Sequence, residues 1–303
     1  MRRLFLVLVA ALLVGSLLPA IPTSAQPAAQ SGRLKVVTSI LPIADLIQNV
    51  GGDHVQVTAL VPPGGEPEDY DPTPADATAV SQARVFFANG LGLEAYLDDL
   101  TGSAGNSQLE VVTLSEGLPT LTSFGQGADE GGNPHLWLDP RNAISYVDTI
   151  QRTLSRVDPA NAALYQTNAE RYTGQLKDLD ASIQQQVNTI PQAQRVLVTT
   201  HDAYPYFAKR YGFTYLAVIN ANPDAGPSAQ EYAQLVKTVK ENQVKAVFGE
   251  SGFSAQMISQ LAADTGATFV GDLFTDTLSQ EAPTNTYLGA MQYNADTIVS
   301  ALR

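Results

Sequence analysis

Residues 158–191 read DPANAALYQTNAERYTGQLKDLDASIQQQVNTIP, and this stretch decides the architecture. Its apolar residues Tyr165, Tyr172, Leu176, Leu179, Ile183, Val187 and Ile190 stand seven and then three or four positions apart. That spacing lays one apolar stripe along an α-helix. Asp158 followed by Pro159 is a cap with proline at the first helical position, and Pro191 stops the helix. Roughly 30 residues rising 1.5 Å each give a rod about 45 Å long, enough to bridge two lobes.

On either side of this rod the pattern alternates between short β-type runs and helical stretches. Upstream, residues 35–39, 54–61, 84–88 and 110–114 read as strands, with helices over 43–50, 74–82, 93–100 and from Pro140 onward after an Asp139 cap. Downstream, residues 195–199, 214–219, 244–250 and 268–273 read as strands. Helices are expected over 203–211, over 228–242 behind the capping box Ser228–Glu231, between the last two strands, and over 287–302. Strands alternating with helices imply parallel sheets covered by helices. The expected fold is therefore α/β: two lobes of parallel sheet flanked by helices, residues 34–157 and 191–303, joined by one long rigid helix over 158–190.

Arg2 and Arg3, an apolar run over residues 4–18 and small residues up to Ala25 describe a secretory signal peptide over 1–25. Residues 26–33 read as a flexible leader. The chain of 303 residues contains no cysteine, which excludes disulfides, thiolate metal sites and lipid attachment through a thiol, so an exported, soluble protein is expected. Its formal charge of −13 becomes −15 once Arg2 and Arg3 leave with the signal, and so acidic a surface repels phosphate backbones, which argues against nucleic acid as a partner.

Only three histidines are present. His54 reads as a surface residue at the start of a strand. His135, in Asn133-Pro134-His135-Leu136-Trp137, and His201, in Thr200-His201-Asp202, each stand at a strand end just before a helix. Glu250 ends a strand and Asp276 follows one. Ligands of open α/β sheets bind at the carboxyl ends of strands, so these residues are candidates to share a site. Taken singly, each histidine is more readily a structural residue than a ligand. Asp139 and Asp202 read as helix caps, Glu250 as a carboxylate behind a ligand, and Trp137 as packing that orients His135. Tyr204, Tyr206 and Phe207 read as the buried face of a helix.

In order along the chain stand Val61-Pro62-Pro63-Gly64-Gly65-Glu66-Pro67 with Tyr70-Asp71-Pro72-Thr73-Pro74, Asn89-Gly90-Leu91-Gly92-Leu93-Glu94, Pro134-His135-Leu136-Trp137-Leu138-Asp139-Pro140, Thr200-His201-Asp202-Ala203-Tyr204, Pro227-Ser228, Phe248-Gly249-Glu250-Ser251 and Leu273-Phe274-Thr275-Asp276. Through these stretches, over residues 34–303, the sequence resembles the zinc- and manganese-binding (ZnuA/TroA-like) solute-binding proteins of ATP-driven metal importers. The resemblance implies a periplasmic or otherwise extracytoplasmic monomer that is not an enzyme. It would hold Zn²⁺ or Mn²⁺, with Fe²⁺ also admitted, in the cleft between its lobes and pass it to a membrane permease. It implies the metal ligands Glu68, His135, His201 and Asp276. Glu68 is a departure, since the family supplies a histidine after this Glu-Pro pair; water completing a three-ligand site is the alternative, with Asp69 next in line. The long His-rich loop of many zinc-binding relatives is also missing, for residues 125–133 offer only Asp129 and Glu130.

Two other functions fit parts of this pattern. A secreted zinc-dependent hydrolase would use the same histidines and carboxylates to activate water, but four protein ligands would close the ion, and no HExxH, GxSxG or phosphate loop is present. A surface adhesin or a binder of organic solutes needs no metal ligands.

Overall fold

The computed structural model describes residues 32–122, 132–219 and 228–303, with only the backbone of Val218 and Ile219. The expected signal peptide, nearly all of the leader, Pro227, Asp129 and Glu130 lie outside the described residues.

The first lobe carries β1 (Leu34–Thr38), α1 (Leu41–Gly51), β2 (Val55–Ala59), α2 (Pro74–Gln82), β3 (Val85–Ala88), α3 (Leu97–Ala104) and β4 (Glu110–Thr113). Then come α4 (Pro140–Val157) and α5 (Ala162–Val187). The second lobe carries β5 (Val196–His201), α6 (Pro205–Tyr211), β6 (Thr214–Ile219), α7 (Ala229–Glu241), β7 (Ala246–Glu250), α8 (Gln256–Thr265), β8 (Thr268–Leu273) and α9 (Tyr287–Leu302). Each lobe holds one four-stranded sheet, in the orders β2-β1-β3-β4 and β6-β5-β7-β8, and every pairing is parallel. The second sheet thus repeats the strand order of the first, and a parallel order that reverses beside its first strand opens a crevice at the strands' carboxyl ends.

Local chemistry sets most boundaries. Thr73 and Asp76 form a reciprocal capping box at α2, and Ser228 and Glu231 form another at α7. The Asp139 side chain accepts from the Arg141 N–H to open α4, as its position before Pro140 leads one to expect.

Four expectations need correction. His54 does not begin a strand: Gly52, at φ 55°, opens a 3-10 turn over Gly52–His54, and β2 starts at Val55. The helix expected over 93–100 runs over Leu97–Ala104, because Gly90, Leu91 and Gly92 all take positive φ and coil the chain first. Leu93 is buried within that coil, so its apolar side chain imitates a helical stripe. The helix expected over 203–211 begins at Pro205, where proline suits the first turn. Asp202 is consequently not its cap; Tyr204 holds that place, and Asp202 is buried beside Asn133.

α5 has 26 residues: the Asp158–Pro159 pair opens the 3-10 turn Pro159–Asn161 before it, and Ile190, though buried, lies past its end. Within the helix the expected stripe of Tyr165, Tyr172, Leu176, Leu179, Ile183 and Val187 is buried throughout. It touches both lobes. Tyr172 and Asn168 hydrogen-bond to Asp45 and to the Val50 carbonyl of the first, while Ser182 and Gln186 reach Gln292 and Asp296 of α9 in the second. One apolar core runs without interruption from Leu34 through α4 and α5 to Leu302, and smaller clusters cover the outer face of each sheet.

Candidate metal site

His201 is the last residue of β5, Glu250 the last of β7, and Asp276 lies three residues past the end of β8. Three adjacent strand ends of the second sheet therefore aim at one point. His135 comes from the other side and, contrary to expectation, not from a strand end: no described strand follows β4 before it, and it stands in coil immediately before the 3-10 turn Leu136–Leu138 that leads into α4.

The side chains meet. His135 Nε2 and His201 Nε2 are 3.2 Å apart. Asp276 turns one oxygen to each imidazole: Oδ1 lies 3.4 Å from His135 Nε2, and Oδ2 lies 3.4 Å from His201 Nε2. All three residues are buried, and their candidate ligand atoms lie within 4.8 Å of one another. Asp276 Oδ1 is buried and makes no hydrogen bond. Leaving a buried carboxylate oxygen without a partner is costly unless a cation or donor faces it.

Glu68 is brought near but not into this cluster. Its Oε1 lies 3.9 Å from His135 Nε2, and its side chain keeps 29% of its exposure. The loop that carries it is fixed at both ends. The Gly64 N–H donates to Thr277 Oγ1 across the lobe boundary, and Tyr70 O–H donates to Asp76 of the α2 cap. Asp69 and His54 are exposed, and neither belongs to the group whose ligand atoms meet.

The surroundings hold each imidazole by its inner edge. His201 Nδ1 lies 2.9 Å from Glu250 Oε2, and the His201 backbone N–H donates to Glu250 Oε1. Thr275 O–H donates to Glu250 at 2.6 Å and fixes it in turn. His135 addresses Asn133 in the same way. The Trp137 ring, fully buried, stands 5.1 Å from the His135 ring, and its indole N–H donates to the Thr275 carbonyl, next to Asp276. The reading of Trp137 as packing behind His135 fits this arrangement.

Charge in the cluster is strongly coupled. Burial works to lower the His201 pKa, yet the Glu250 and Asp276 carboxylates hold it well above the usual histidine value. Burial works to raise the Asp276 carboxyl, yet His135 and His201 hold it well below the usual carboxylate range. Glu66 also feels the site: burial and then Asp69 push it up, while His201 pulls it down.

Sequence reasoning passed over three neighbours. Glu66 stands two residues before Glu68 in a loop without periodicity, where nothing in the sequence sets one acid apart from the next. Phe253, stacked on the His201 ring at 4.1 Å between centroids, carries no sequence signal, because its position depends on the loop after β7. Asn133 sits two residues before a candidate ligand, and that nearness was its only signal.

The family model of the zinc-uptake complex component A, periplasmic, matches residues 36–301. The chain belongs to that family. The manganese-binding lipoprotein MntA of Halalkalibacterium halodurans is 37% identical over 270 residues, covering 89% of this chain and 88% of that one. The iron-binding protein YfeA of Yersinia pestis is 36% identical over 276 residues, covering 90% of this chain and 87% of the relative. Among solved structures, a Mn-bound periplasmic metal-binding protein from Candidatus Liberibacter asiaticus superposes with a TM-score of 0.81 at 28% identity, covering 89% of this chain and 100% of that one. One of these relatives is named a lipoprotein, whereas no residue of the present sequence is a cysteine. Among the described residues, no helix is long and apolar enough to cross a membrane.

Proposed function

We propose that this family member captures a divalent transition metal, zinc or manganese, between its lobes outside the cytoplasm and delivers it to an ATP-driven membrane permease. The observation that carries this reading is the triangle of buried donors. Ligands bonded at about 2.1 Å in a tetrahedron stand about 3.4 Å from one another; here the two Nε2 atoms are 3.2 Å apart, and each has its own Asp276 oxygen at 3.4 Å. The two imidazole nitrogens are thus already spaced as one edge of a coordination shell, with a carboxylate oxygen beside each, and one ligand atom from each of the three residues lies within 4.8 Å of the others.

His135, His201 and Asp276 are three of the ligands in this proposal, and Glu68 is the fourth, closing the shell by a small movement of its partly exposed side chain. The two carboxylates neutralise a divalent charge, and the two imidazoles add neutral donors. Because Asp276 offers one oxygen to each side, it suits two-oxygen coordination and the larger shells of Mn²⁺ and Fe²⁺, while the imidazoles suit Zn²⁺. The set is therefore one that admits several metals, with Zn²⁺ the tightest on chemical grounds alone. Glu250 does not serve as a hydrolytic base here, because His201 and Thr275 occupy both its oxygens. Capture without turnover is the better reading than hydrolysis.

Metal content measured after dialysis of chelator-stripped protein against Zn²⁺ or Mn²⁺ tests the proposal. Wild type is expected to retain one ion of either metal per chain, and Glu68→Ala to bind each at least about tenfold more weakly, the size of effect expected for a lost charged contact. Retention of neither metal by the wild type contradicts capture; unchanged affinity in Glu68→Ala removes Glu68 alone from the ligand set.

A further inference from the structure

The two imidazoles of the cluster are braced by the same device. For His201, the backbone N–H and Nδ1 both address Glu250, at 3.0 and 2.9 Å. For His135, the backbone N–H and Nδ1 both address Asn133 Oδ1, at 3.0 and 3.1 Å. Each ring is left with Nε2 facing the cleft. The two braces differ in reach. Glu250 belongs to the same lobe as His201. Asn133 spans the boundary: its Nδ2 donates at 2.6 Å to the carbonyl of Asp202, the residue after His201.

Asn133 is itself held firmly. It is 1% exposed, its N–H donates to the Leu121 carbonyl at 2.7 Å, and its carbonyl accepts from Tyr206 O–H at 2.7 Å. Asn89 Nδ2 donates to the next carbonyl along, that of Pro134, at 2.9 Å, and Tyr146 O–H fixes Asn89. The side-chain amide has no freedom to turn over. Its oxygen carries no hydrogen and can only accept, so the nitrogen must be the atom that donates to Asp202.

We propose that Asn133 is a positioning residue that holds His135 in the Nδ1–H tautomer and ties it to the His201 turn, so that imidazoles from the two lobes present Nε2 lone pairs to one divalent cation. A neutral imidazole with its proton on Nδ1 has its lone pair on Nε2, the only ring atom that can then bind a metal. With the opposite tautomer, Nε2 would carry a hydrogen into the cleft and the ligand would be blocked until the ring rearranged. The tie to Asp202 adds a second consequence. His135, Asn133, Asp202 and His201 form a chain that a cation at the two Nε2 atoms closes into a ring, so the approach of the histidines is set before metal arrives. Partners of this kind typically affect metal affinity by 10- to 100-fold.

This inference rests on the metal-capture reading, and two measurements keep the two apart. Long-range ¹H–¹⁵N spectra of metal-free wild-type protein, at a pH where the His135 ring is neutral, are expected to show a bare Nε2 and a protonated Nδ1; a protonated Nε2 would overturn the proposal without any variant. Zn²⁺ affinity by chelator competition is expected to fall about 10- to 100-fold in Asn133→Leu, which lacks both acceptor and donor. Asn133→Asp keeps the acceptor but loses the donor to Asp202. It is expected to restore the His135 tautomer and only part of the affinity, and it serves if the leucine variant does not fold. A folded Asn133→Leu with the wild-type tautomer and Zn²⁺ affinity within twofold of wild type would overturn the proposal. Wild-type protein that bound no Zn²⁺ would instead remove the metal reading, and the spectrum would still judge Asn133.

Discussion

At the scale of single residues, the candidate site is an arrangement of charges that a metal would enter by displacing a proton. His201 has its folded pKa raised, so protonation of its ring stabilises the metal-free protein. That contribution is fully present below the unfolded histidine value of about 6.5 and is lost as pH rises through the higher folded value. Asp276 has its pKa lowered, so its contribution is present above the unfolded value of about 3.9 and is lost as pH falls through the depressed one. Metal needs His201 neutral. Raising the pH from 6 to 8 should therefore weaken the metal-free protein and tighten metal binding together, and the rise in melting temperature on adding Zn²⁺ should grow over that interval. Calorimetry in buffers of different ionisation enthalpy should detect proton release on binding. A Zn²⁺ stabilisation that shrinks with pH, or binding without proton release, would contradict this account. His135 follows no described strand and is legible only through the Pro134–Pro140 stretch. The sequence makes His201 and Asp276 legible through the strand ends beside which they stand, and a short list of histidines narrows the choice. It could not show that Asp276 splits its two oxygens between the rings, or that Phe253 stacks on His201, since both follow from how loops of different strands converge.

At the scale of elements, the helices with explicit chemical punctuation were the legible ones. α2 and α9 run over Pro74–Gln82 and Tyr287–Leu302, as expected, because a capping threonine precedes each. α3 was misplaced because Leu93 is buried in a glycine-rich coil, where an apolar residue says nothing of helix. Nearby, Glu94 is buried and accepts from Ser39 O–H and the Asn89 and Gly90 N–H groups, a non-local arrangement that no periodicity reveals. α5 is the element on which the architecture rests. Leu176 is fully buried midway along it, in the core shared by both lobes. Leu176→Ala should cost about 2–5 kcal/mol, the usual penalty for a cavity at a buried leucine. Since the core is continuous, thermal unfolding followed by circular dichroism should remain one transition at a lower temperature. Two separated transitions would show that the lobes are energetically independent.

At the scale of the whole molecule, the lobes are pinned together around the candidate site. Trp137 N–H reaches the Thr275 carbonyl, Tyr287 O–H reaches the Trp137 carbonyl, and Asp45 accepts from the Tyr287 N–H. Gly252, at φ 100°, brings its Cα against the Gly64 carbonyl of the facing lobe, where any Cβ would come within 3.1 Å of the oxygen. With a stiff helix behind and these contacts in front, metal is expected to order side chains at the cleft rather than swing one lobe onto the other. The two-lobe plan was legible from the alternation of strands and helices about one long stripe; the joining of both lobes in a single core was not, because it depends on which faces of α4, α5 and α9 meet. Metal capture at the candidate site is tested most directly by calorimetric titration of chelator-stripped protein with Zn²⁺ and, separately, Mn²⁺, for the wild type and for Asp276→Ala. Wild type should bind both metals one-to-one, Zn²⁺ the tighter, and the variant should lose Mn²⁺ binding and hold Zn²⁺ far more weakly. A wild type that takes up neither metal, or an Asp276→Ala protein that binds both as well as the wild type, would contradict it.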